Sequence, residues 1–454
     1  MDRPAPEALP GGQLRRWARW LRPGLGLKRW AVVLAAGILL ISAGAALIVN
    51  VSLLAWLDLA VLRLLEGIVA ATGRSMPPLA LGIVLVLAGG FIVLYGLRGT
   101  LRSIDRVLFP TGSPTLVEVL RQQRTLSRGP KIVALGGGTG LSTLLRGLKR
   151  YSTNITAVVT VFDDGGSSGR LRRDLGVLPP GDIRDCLVAL AESEPLMTQL
   201  FEYRFPGGAF DGHAFGNLFI ASLTGVTGDL EEAVRAASKV LNIRGRVLPA
   251  TLDDVILAAE YEDGSVVEGE SQIPLARRRI RRVFLKPDSV AGLPEALEAI
   301  AEADLILIGP GSLYTSVIPN LLVRGVADAV RGAAAPRVYI CNVMTQPGET
   351  DGFTAADHLR AIADAAGPGL MTHTLVNVQA PTDAALTRRY EAEGAFPVVP
   401  DVADLRRLVP QVVTGSIISE QELLRHDPKA VAAAVMRLAV GTPRRSPDAQ
   451  EIGV

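Results

Sequence analysis

An apolar segment at residues 131–135 runs directly into a glycine-rich turn and then into an apolar helical pattern. Glycine has no Cβ, so the backbone of such a turn comes close to a ligand, and the free N–H groups of the following helix favour an anion. Thr139 adds a hydroxyl group to these donors. The pattern predicts a phosphate-binding turn, although simple packing of a helix on a strand is an alternative. The glycines of the turn are Gly136, Gly137, Gly138 and Gly140.

A second polar turn follows the next apolar segment, at residues 155–162. Asp163 and Asp164 carry carboxylates that suit the hydroxyl groups of a ribose, or a Mg²⁺ ion held through water. Ser167 and Ser168 offer further hydrogen-bond donors to an anion. The two turns are one βαβ unit apart, so we expect them to lie side by side at one edge of a sheet. A solvated Asp-Gly turn is the alternative.

Two later segments place polar side chains at predicted helix starts. Residues 179–185 lead into a helix with Asp182 as its expected N-cap and Arg184 near the turn. His213 and Asn217 are four residues apart at another helix start, so they face the same side. We expect these side chains to contact a ligand, with helix capping or a structural histidine as the alternatives.

Two predicted strands, at residues 304–308 and 336–341, also end in polar loops. The first loop opens a helix with glycines and hydroxyl groups, which makes it a second candidate anion site. The second loop carries amide and hydroxyl groups suited to a base, a sugar or another substrate. The candidate ligand-binding residues here are Gly309, Gly311, Ser312, Thr315, Asn320, Asn342 and Thr345.

Short continuous apolar runs indicate strands of a parallel sheet that is buried on both faces. Helical patterns lie between them, which predicts an α/β fold with a Rossmann-like, doubly wound and mostly parallel sheet. Between residues 246 and 285 the pattern changes to short alternating segments typical of hairpins. The apolar runs lie at 131–135, 155–162, 304–308, 336–341 and 373–377.

Two uncharged stretches, at residues 31–57 and 76–97, are each long enough to cross a bilayer. They predict a two-helix transmembrane hairpin; a secretory signal peptide is the weaker alternative because its apolar region is shorter. Basic residues precede the first stretch and follow the second, so the positive-inside rule predicts that both termini and the main domain are cytoplasmic. Neither stretch carries a charge, so the hairpin is interpreted as an anchor of a multi-pass cell-membrane protein.

The sequence therefore divides into five segments. A basic N-terminus, the transmembrane hairpin and a charged linker precede one large domain, and a polar tail that we expect to be disordered follows it. The segments are 1–29, 30–97, 98–129, 130–441 and 442–454.

Several classes of function gain no support from the sequence. The 454 residues carry a formal net charge of +2, which does not indicate a nucleic-acid partner. Cys186 and Cys341 stand apart from any cysteine or histidine array, so neither a disulfide nor a zinc site is predicted and a reducing cytoplasm fits. The glycine turn is not a Walker A loop, and the sequence has no nucleophile elbow or His-Glu-x-x-His motif, so no catalytic residue is assigned.

Together, five motifs resemble the gluconeogenesis factor family (YvcK) of the CofD-like superfamily. The resemblance covers residues 130–440 and leaves the hairpin outside. The motifs are Gly136-Gly-Gly-Thr-Gly140, Asp163-Asp-Gly-Gly-Ser-Ser-Gly169, Pro180-Gly-Asp-Ile-Arg184, Gly212-His-Ala-Phe-Gly-Asn217 and Gly309-Pro-Gly-Ser-Leu-Tyr-Thr315.

This resemblance implies a protein that binds nucleotide sugars such as UDP-N-acetylglucosamine and acts in cell shape and cell-wall precursor metabolism on gluconeogenic carbon sources. Residues 136–140 and 309–312 would take the diphosphate, and Asp163 and Asp164 the ribose or a Mg²⁺ ion. The implied CofD relatives are Mg²⁺-dependent 2-phospho-L-lactate transferases, so an enzyme is the alternative to a non-catalytic regulator or scaffold. A nicotinamide-dependent oxidoreductase is a third hypothesis, which the glycine spacing disfavours. Cell-wall synthesis proteins and a second copy of the chain are the protein partners left open.

Overall fold

The computed structural model describes most of the chain, which divides into two compact units, Met1–Gln123 and Arg124–Val454. The predicted basic N-terminus up to residue 26, the end of the first predicted span and the predicted tail lie outside the described residues. The described residues are 27–49, 63, 66, 67, 69, 70, 77–108, 116–192, 195–420 and 423–440.

The first unit contains two long apolar helices, α1 (Leu27–Val49) and α2 (Pro78–Leu108). Each contains a stretch long and apolar enough to cross a membrane, Arg29–Ile48 in α1 and Leu79–Ser103 in α2. Both stretches overlap the predicted spans, and residues 50–57 of the first predicted span lie outside the described residues. The predicted linker is partly helical, because α2 continues to Leu108 and a further helix, α3, covers Leu116–Ser127.

Glycines hold the backbones of α1 and α2 in direct contact. A Cβ added to Gly44 would lie 2.6 Å from the carbonyl oxygen of Gly82, and one added to Gly89 would lie 2.7 Å from that of Gly37. Such close approach of small residues is the usual way in which two helices pack inside a bilayer, where the hydrophobic effect gives no preference for helix contact. The opposite faces of both helices expose large apolar side chains, Phe91 among them.

The second unit contains the strands, and those formed by continuous apolar runs, such as Ile132–Gly136 and Ile155–Val159, are buried on both faces. In chain order they are β1 (Ile132–Gly136), β2 (Ile155–Val159), β3 (Arg246–Pro249), β4 (Ile256–Tyr261), β5 (Val266–Glu268), β6 (Ile280–Lys286), β7 (Leu305–Ile308), β8 (Arg337–Ile340), β9 (His373–Asn377), β10 (Gln411–Gly415), β11 (Ile418–Ser419) and β12 (Arg425–His426).

Helices connect these strands and cover the main sheet. They are α4 (Gly138–Leu148), α5 (Gly166–Leu175), α6 (Gly181–Leu190), α7 (Pro195–Glu202), α8 (Phe215–Thr227), α9 (Leu230–Leu241), α10 (Pro294–Ala301), α11 (Ile318–Leu322), α12 (Val326–Gly332), α13 (Ala355–Ala366), α14 (Ala384–Ala392), α15 (Val402–Leu408) and α16 (Pro428–Val440).

Within the described residues, seven strands form one parallel sheet in the order β10-β9-β8-β7-β1-β2-β3. The chain moves outward from β1 through β2 to β3, and then crosses to the other side of β1 and continues from β7 to β10. The strand order therefore reverses between β1 and β7, which is where ligands bind in open α/β sheets. The predicted Rossmann-like, doubly wound sheet is confirmed.

The segment predicted to be rich in hairpins forms a separate antiparallel sheet in the order β5-β4-β6. The same segment also supplies β3, an edge strand of the main sheet that the sequence patterns did not single out. A third, two-stranded sheet of β11 and β12 leads into the C-terminal helix α16.

His426 in β12 joins the end of the chain to the main sheet. Its ring is buried, and Nε2 lies 3.0 Å from the carbonyl oxygen of Cys341, the residue that follows β8. Burial lowers the pKa of His426 to about 4, because the charged ring would lose its hydration. The folded protein therefore favours the neutral form of the His426 ring.

We expect Gly89→Leu to separate the two apolar helices, because the backbone of α1 occupies the space that its side chain needs. Gly90→Leu is the matched control, since nothing lies within 4 Å of a Cβ added there. Spin labels at the exposed positions Leu39 and Leu87 measure the distance between the helices in membranes. A distance that changes equally in both variants, or in neither, contradicts this packing.

We also expect acid to destabilise the folded state through His426. The pKa of this group is lower in the folded state than its unfolded value of about 6.5, so stability is complete above that pH and falls by up to about 3 kcal/mol as pH drops towards the folded value. His426→Gln keeps a donor for Cys341 but cannot titrate. Thermal unfolding followed by circular dichroism should therefore show a weaker loss on acidification in the variant than in the wild type, and parallel pH profiles would exclude this role.

Candidate functional site

The loops after β1 and β7 touch each other where the strand order reverses. A Cβ added to Gly140 would lie 2.5 Å from the carbonyl oxygen of Pro310, and one added to Gly311 would lie 3.3 Å from that of Gly137. Gly138 has a φ of 60°, a left-handed conformation that glycine adopts at no steric cost. The two predicted anion-binding turns therefore form one continuous backbone surface.

Three more of the predicted residues belong to this surface. Gly136 is the last residue of β1, and Thr139 is exposed in the first turn of α4. Gly309 follows β7 with a φ of 75°. The first N–H groups of α4 have no partner within the helix, and because that of Gly138 donates to Asp182, the ones that follow it are the donors that this turn has to offer to an anion.

Asp182 contacts the loop after β1 and does not cap α6. The N-cap of α6 is Pro180, so the predicted N-cap role of Asp182 is wrong. Its carboxylate instead accepts a 2.8 Å hydrogen bond from Thr160 Oγ1 and lies against Gly137, where a Cβ would collide with it. Burial raises the pKa of Asp182 to about 6, and the charge of Asp163 adds to this.

Three carboxylates converge next to these loops. Asp163, Asp164 and Glu270 each offer an oxygen atom, and these atoms lie within 4.8 Å of one another. Burial raises the pKa of Glu270 to about 9, and the charges of Asp163, Asp182, Glu349 and Asp164 contribute. Oxygen ligands of this kind fit a hard divalent cation such as Mg²⁺, which would also offset the repulsion among the carboxylates.

The carboxylates of both aspartates also accept hydrogen bonds from backbone N–H groups. Asp163 Oδ1 accepts from the N–H of Gly165 at 2.8 Å, and Asp164 Oδ1 accepts from that of Ser271 at 2.8 Å. These bonds fix the orientation of the carboxylates and tie the loop after β2 to the segment after β5. Glu270 was missed in the sequence because that segment is distant along the chain and has no motif of its own.

The side chains of His213 and Asn217, which were predicted to face the same side, both contact Ser167. Ser167 Oγ lies 3.1 Å from His213 Nδ1 and accepts a 3.1 Å hydrogen bond from Asn217 Nδ2, which also reaches Ser168 Oγ at 3.4 Å. Arg184 donates to Asn217 Oδ1 at 3.0 Å. Burial lowers the pKa of His213, so its ring is neutral near neutral pH. The structure thus brings five predicted residues into one buried polar network.

Residues after β8 hold the loop after β7. Asn342 accepts from the N–H of Gly311 at 3.2 Å and donates to its carbonyl oxygen at 2.8 Å. Gln346 Nε2 donates to Ser312 Oγ at 2.6 Å. The side chain of Glu349 accepts from Thr315 Oγ1 at 3.4 Å. Gln346 and Glu349 lie in the loop whose amide and hydroxyl groups were predicted to suit a ligand, but neither was among the candidate ligand-binding residues.

Two predicted residues bond mainly to the backbone of the protein. Asn320 Nδ2 donates to the carbonyl oxygens of Gly136 at 3.1 Å and Ser316 at 2.9 Å. Thr345 Oγ1 accepts from the N–H of Phe396 at 2.9 Å. Both side chains are buried, so their observed contacts support the loops. Ligand contact at these two positions stays a prediction.

The arrangement as a whole offers three kinds of chemistry at one edge of the sheet. Backbone N–H groups of two glycine loops suit phosphate oxygens, carboxylates suit a cation or sugar hydroxyls, and amide side chains suit a base or a sugar. No side chain in this group, among the described residues, pairs a nucleophile with a base and an orienting acid.

Comparison with known proteins agrees with this geometry. Residues 132–418 match the family model described as 2-phospho-L-lactate transferase CofD. A gluconeogenesis factor from Halalkalibacterium halodurans is 51% identical over 321 residues, which cover 70% of this chain and 98% of that protein. The gluconeogenesis factor of Bacillus subtilis is 51% identical over 315 residues, which cover 69% of this chain and 99% of that protein.

A longer relative and a solved structure complete the comparison. A protein from Nostoc sp. is 49% identical over 429 residues, which cover 94% of this chain and 93% of that protein, so this alignment reaches into the apolar N-terminal segment. A crystal structure of a UPF0052 family member from Bacillus halodurans has a TM-score of 0.66 and 51% identity, and it covers 68% of this chain and 99% of that chain.

We expect Gly140→Ala to force the two glycine loops apart, since its Cβ would lie 2.5 Å from Pro310. The cost should be about 1–3 kcal/mol of unfolding free energy, as for other overpacked sites. Gly332→Ala in α12 is the control, because its Cβ meets nothing within 4 Å and alanine is the better helix former. Urea unfolding of both variants tests the contact, and equal stabilities would contradict it.

Proposed function

The chain belongs to the CofD family, and from that premise we propose that it is a nucleotide-sugar-binding protein of the gluconeogenesis factor type. UDP-N-acetylglucosamine is the representative ligand. The observation that carries the proposal is the contact between the two glycine loops, because it places backbone donors of both at the point where open α/β sheets bind their ligands.

In this proposal the diphosphate, the ribose and the sugar or base of the ligand each contact a different set of residues. The diphosphate contacts the loops of residues 136–140 and 309–312, and Asp163 or Asp164 accepts from the ribose. Pro310 has no N–H, and Gly309 and Gly311 donate theirs to Leu135 and Asn342, so in the second loop the N–H of Ser312 is the backbone donor for the diphosphate. Asn342 has both an amide donor and an acceptor to share with the sugar or the base. Thr139 is exposed and adds a hydroxyl group beside the diphosphate.

We place this binding protein at the cell membrane. The two apolar helices act as an anchor, with both termini and the main domain in the cytoplasm, as the basic flanks of the spans predict. The protein then acts as a regulator or scaffold of cell shape and cell-wall precursor metabolism on gluconeogenic carbon sources, near cell-wall synthesis proteins. The names of the relatives from H. halodurans and B. subtilis support the link to gluconeogenic growth.

A second candidate function is a Mg²⁺-dependent transferase of the 2-phospho-L-lactate type, which the description of the family model favours. The observation in its favour is the convergence of Asp163, Asp164 and Glu270. These residues would hold the ion, and a bound ion would neutralise charge that develops on a phosphoryl group. No residue of this chain is assigned to a catalytic step.

We expect Gly138→Asp to weaken binding of UDP-N-acetylglucosamine by about a hundredfold or more, because it adds a negative charge beside the diphosphate. Asparagine and aspartate both tolerate the left-handed backbone of this residue, so Gly138→Asn is the matched control for shape. Calorimetric titration of the full-length protein in detergent measures both variants. Equal affinities in the Asp and Asn variants would show that the diphosphate does not lie at this loop.

The same titration with and without Mg²⁺ separates the two candidate functions. A binding protein should retain affinity without the ion and release no UDP, whereas a transferase should require the ion and turn over. Complementation of a B. subtilis strain that lacks its own gluconeogenesis factor then tests the role in cells. Wild-type chain should restore growth on gluconeogenic carbon, and the Gly138→Asp variant should not.

A further inference from the structure

A cavity of about 530 Å³ lies in the second unit beside the three-stranded sheet. It includes none of the residues of the two glycine loops or of the carboxylate cluster. Its wall combines three consecutive arginines with a loop that follows β8 and with the end of α14. The lining residues that matter are Arg277, Arg278, Arg279, Glu349, Phe353 and Glu393.

The acidic groups of the wall are mostly committed to the protein itself. Asp351 accepts from the N–H of Gly348 at 2.7 Å, and Asp357 caps α13 through Thr354. The carboxylate of Glu349 accepts from the N–H of Tyr314 at 3.3 Å. A carboxylate that is held by backbone donors is a weak partner for an incoming cation.

The arginines, in contrast, are available. Arg278 and Arg279 pair with Asp263 and Glu262, but all four side chains are more than half exposed, and pairs of this kind contribute little and exchange readily. Arg277 makes no ion pair with any described residue. The wall as a whole is not positive, because four carboxylates line it beside the three arginines, so an incoming anion would depend on Arg277, the arginine of the wall without an ion pair among the described residues.

Arg277 also has a backbone conformation that its side chain does not favour. Its φ is 47° and its ψ is 44°, directly after the short turn Pro274–Ala276. Residues other than glycine, asparagine and aspartate rarely adopt this left-handed conformation, which costs about 1 kcal/mol or more. An arginine at this place costs stability, which points to a use for its guanidinium group.

One wall of the cavity is aromatic. Phe353 packs edge-on against Tyr314 with ring centroids 6.3 Å apart, and against His358 at 5.6 Å. Its ring is only partly buried, so it has apolar surface left for a ligand. A small organic body can therefore pack on Phe353 while an attached anionic group reaches the arginines.

We propose that this cavity is a second ligand site, which takes a small organic phosphate or carboxylate through Arg277. The guanidinium group binds such an anion in a bidentate manner. The cavity shares Glu349 with the surroundings of the proposed nucleotide-sugar site but none of the glycine-loop residues, and the proposal does not depend on that function.

The experiment is a calorimetric titration of the full-length protein with three probes: inorganic phosphate, a hexose monophosphate and citrate. We expect at least one probe to bind with a Kd of about 1 mM or tighter. Phosphates alone, or citrate alone, identify which oxyanion the site takes. Arg277→Gly should weaken that binding by about tenfold to a hundredfold, as loss of a charged hydrogen-bonding partner does.

Glycine suits the backbone of residue 277, so this variant should melt at the same temperature as the wild type or higher. Arg281→Gln is the charge control, because Arg281 pairs with Glu260 in the antiparallel sheet and does not line the cavity. No binding of any probe, unchanged binding in Arg277→Gly, or equal losses in both variants would overturn the proposal. Titration of the same samples with UDP-N-acetylglucosamine reports separately on the nucleotide-sugar site.

Discussion

The contact between two main-chain segments governs the architecture of the candidate site. Because Gly140 and Gly311 lack side chains, the loop after β1 and the loop after β7 approach until their backbones touch. The surrounding side chains then have fixed tasks: Asn342 holds Gly311 by both of its peptide groups, and Asn320 holds the carbonyl oxygen of Gly136. One geometric requirement thus determines the position of residues that follow three strand ends, those of β1, β7 and β8.

Charge is the second determinant of the site. The glycine loops favour an anion, yet partly buried carboxylates lie beside them, and the raised pKa values of Asp182 and Glu270 reflect the energetic cost of this crowding. A cation between the acids, or a ligand with many hydroxyl groups, reconciles the two tendencies. A nucleotide sugar bound with a metal ion would use both parts of the site, whereas a simple anion would use only one.

Much of the fold could be predicted from the sequence because its signals are local. The apolar run before Gly136 and the loop after Gly309 have a strand-turn-helix pattern within about a dozen residues, a range over which such patterns are informative. Asp182 was misassigned because its carboxylate accepts a hydrogen bond from Thr160, the residue directly after β2. Glu270 joins the site only through the fold, across more than a hundred residues, and no local pattern marks such a partner.

The central position of β1 has a consequence for the order in which the domain forms. Ile132 in β1 pairs with Ile155 on one side and with Leu305 on the other, so one edge of this strand has no partner until the second half of the chain has been synthesised. An unpaired edge of an apolar strand is a template for wrong pairing, and long-range parallel contacts form slowly. During much of its translation, the domain therefore exposes an apolar strand with one unpaired edge. We expect chaperones at the ribosome to bind this exposed strand.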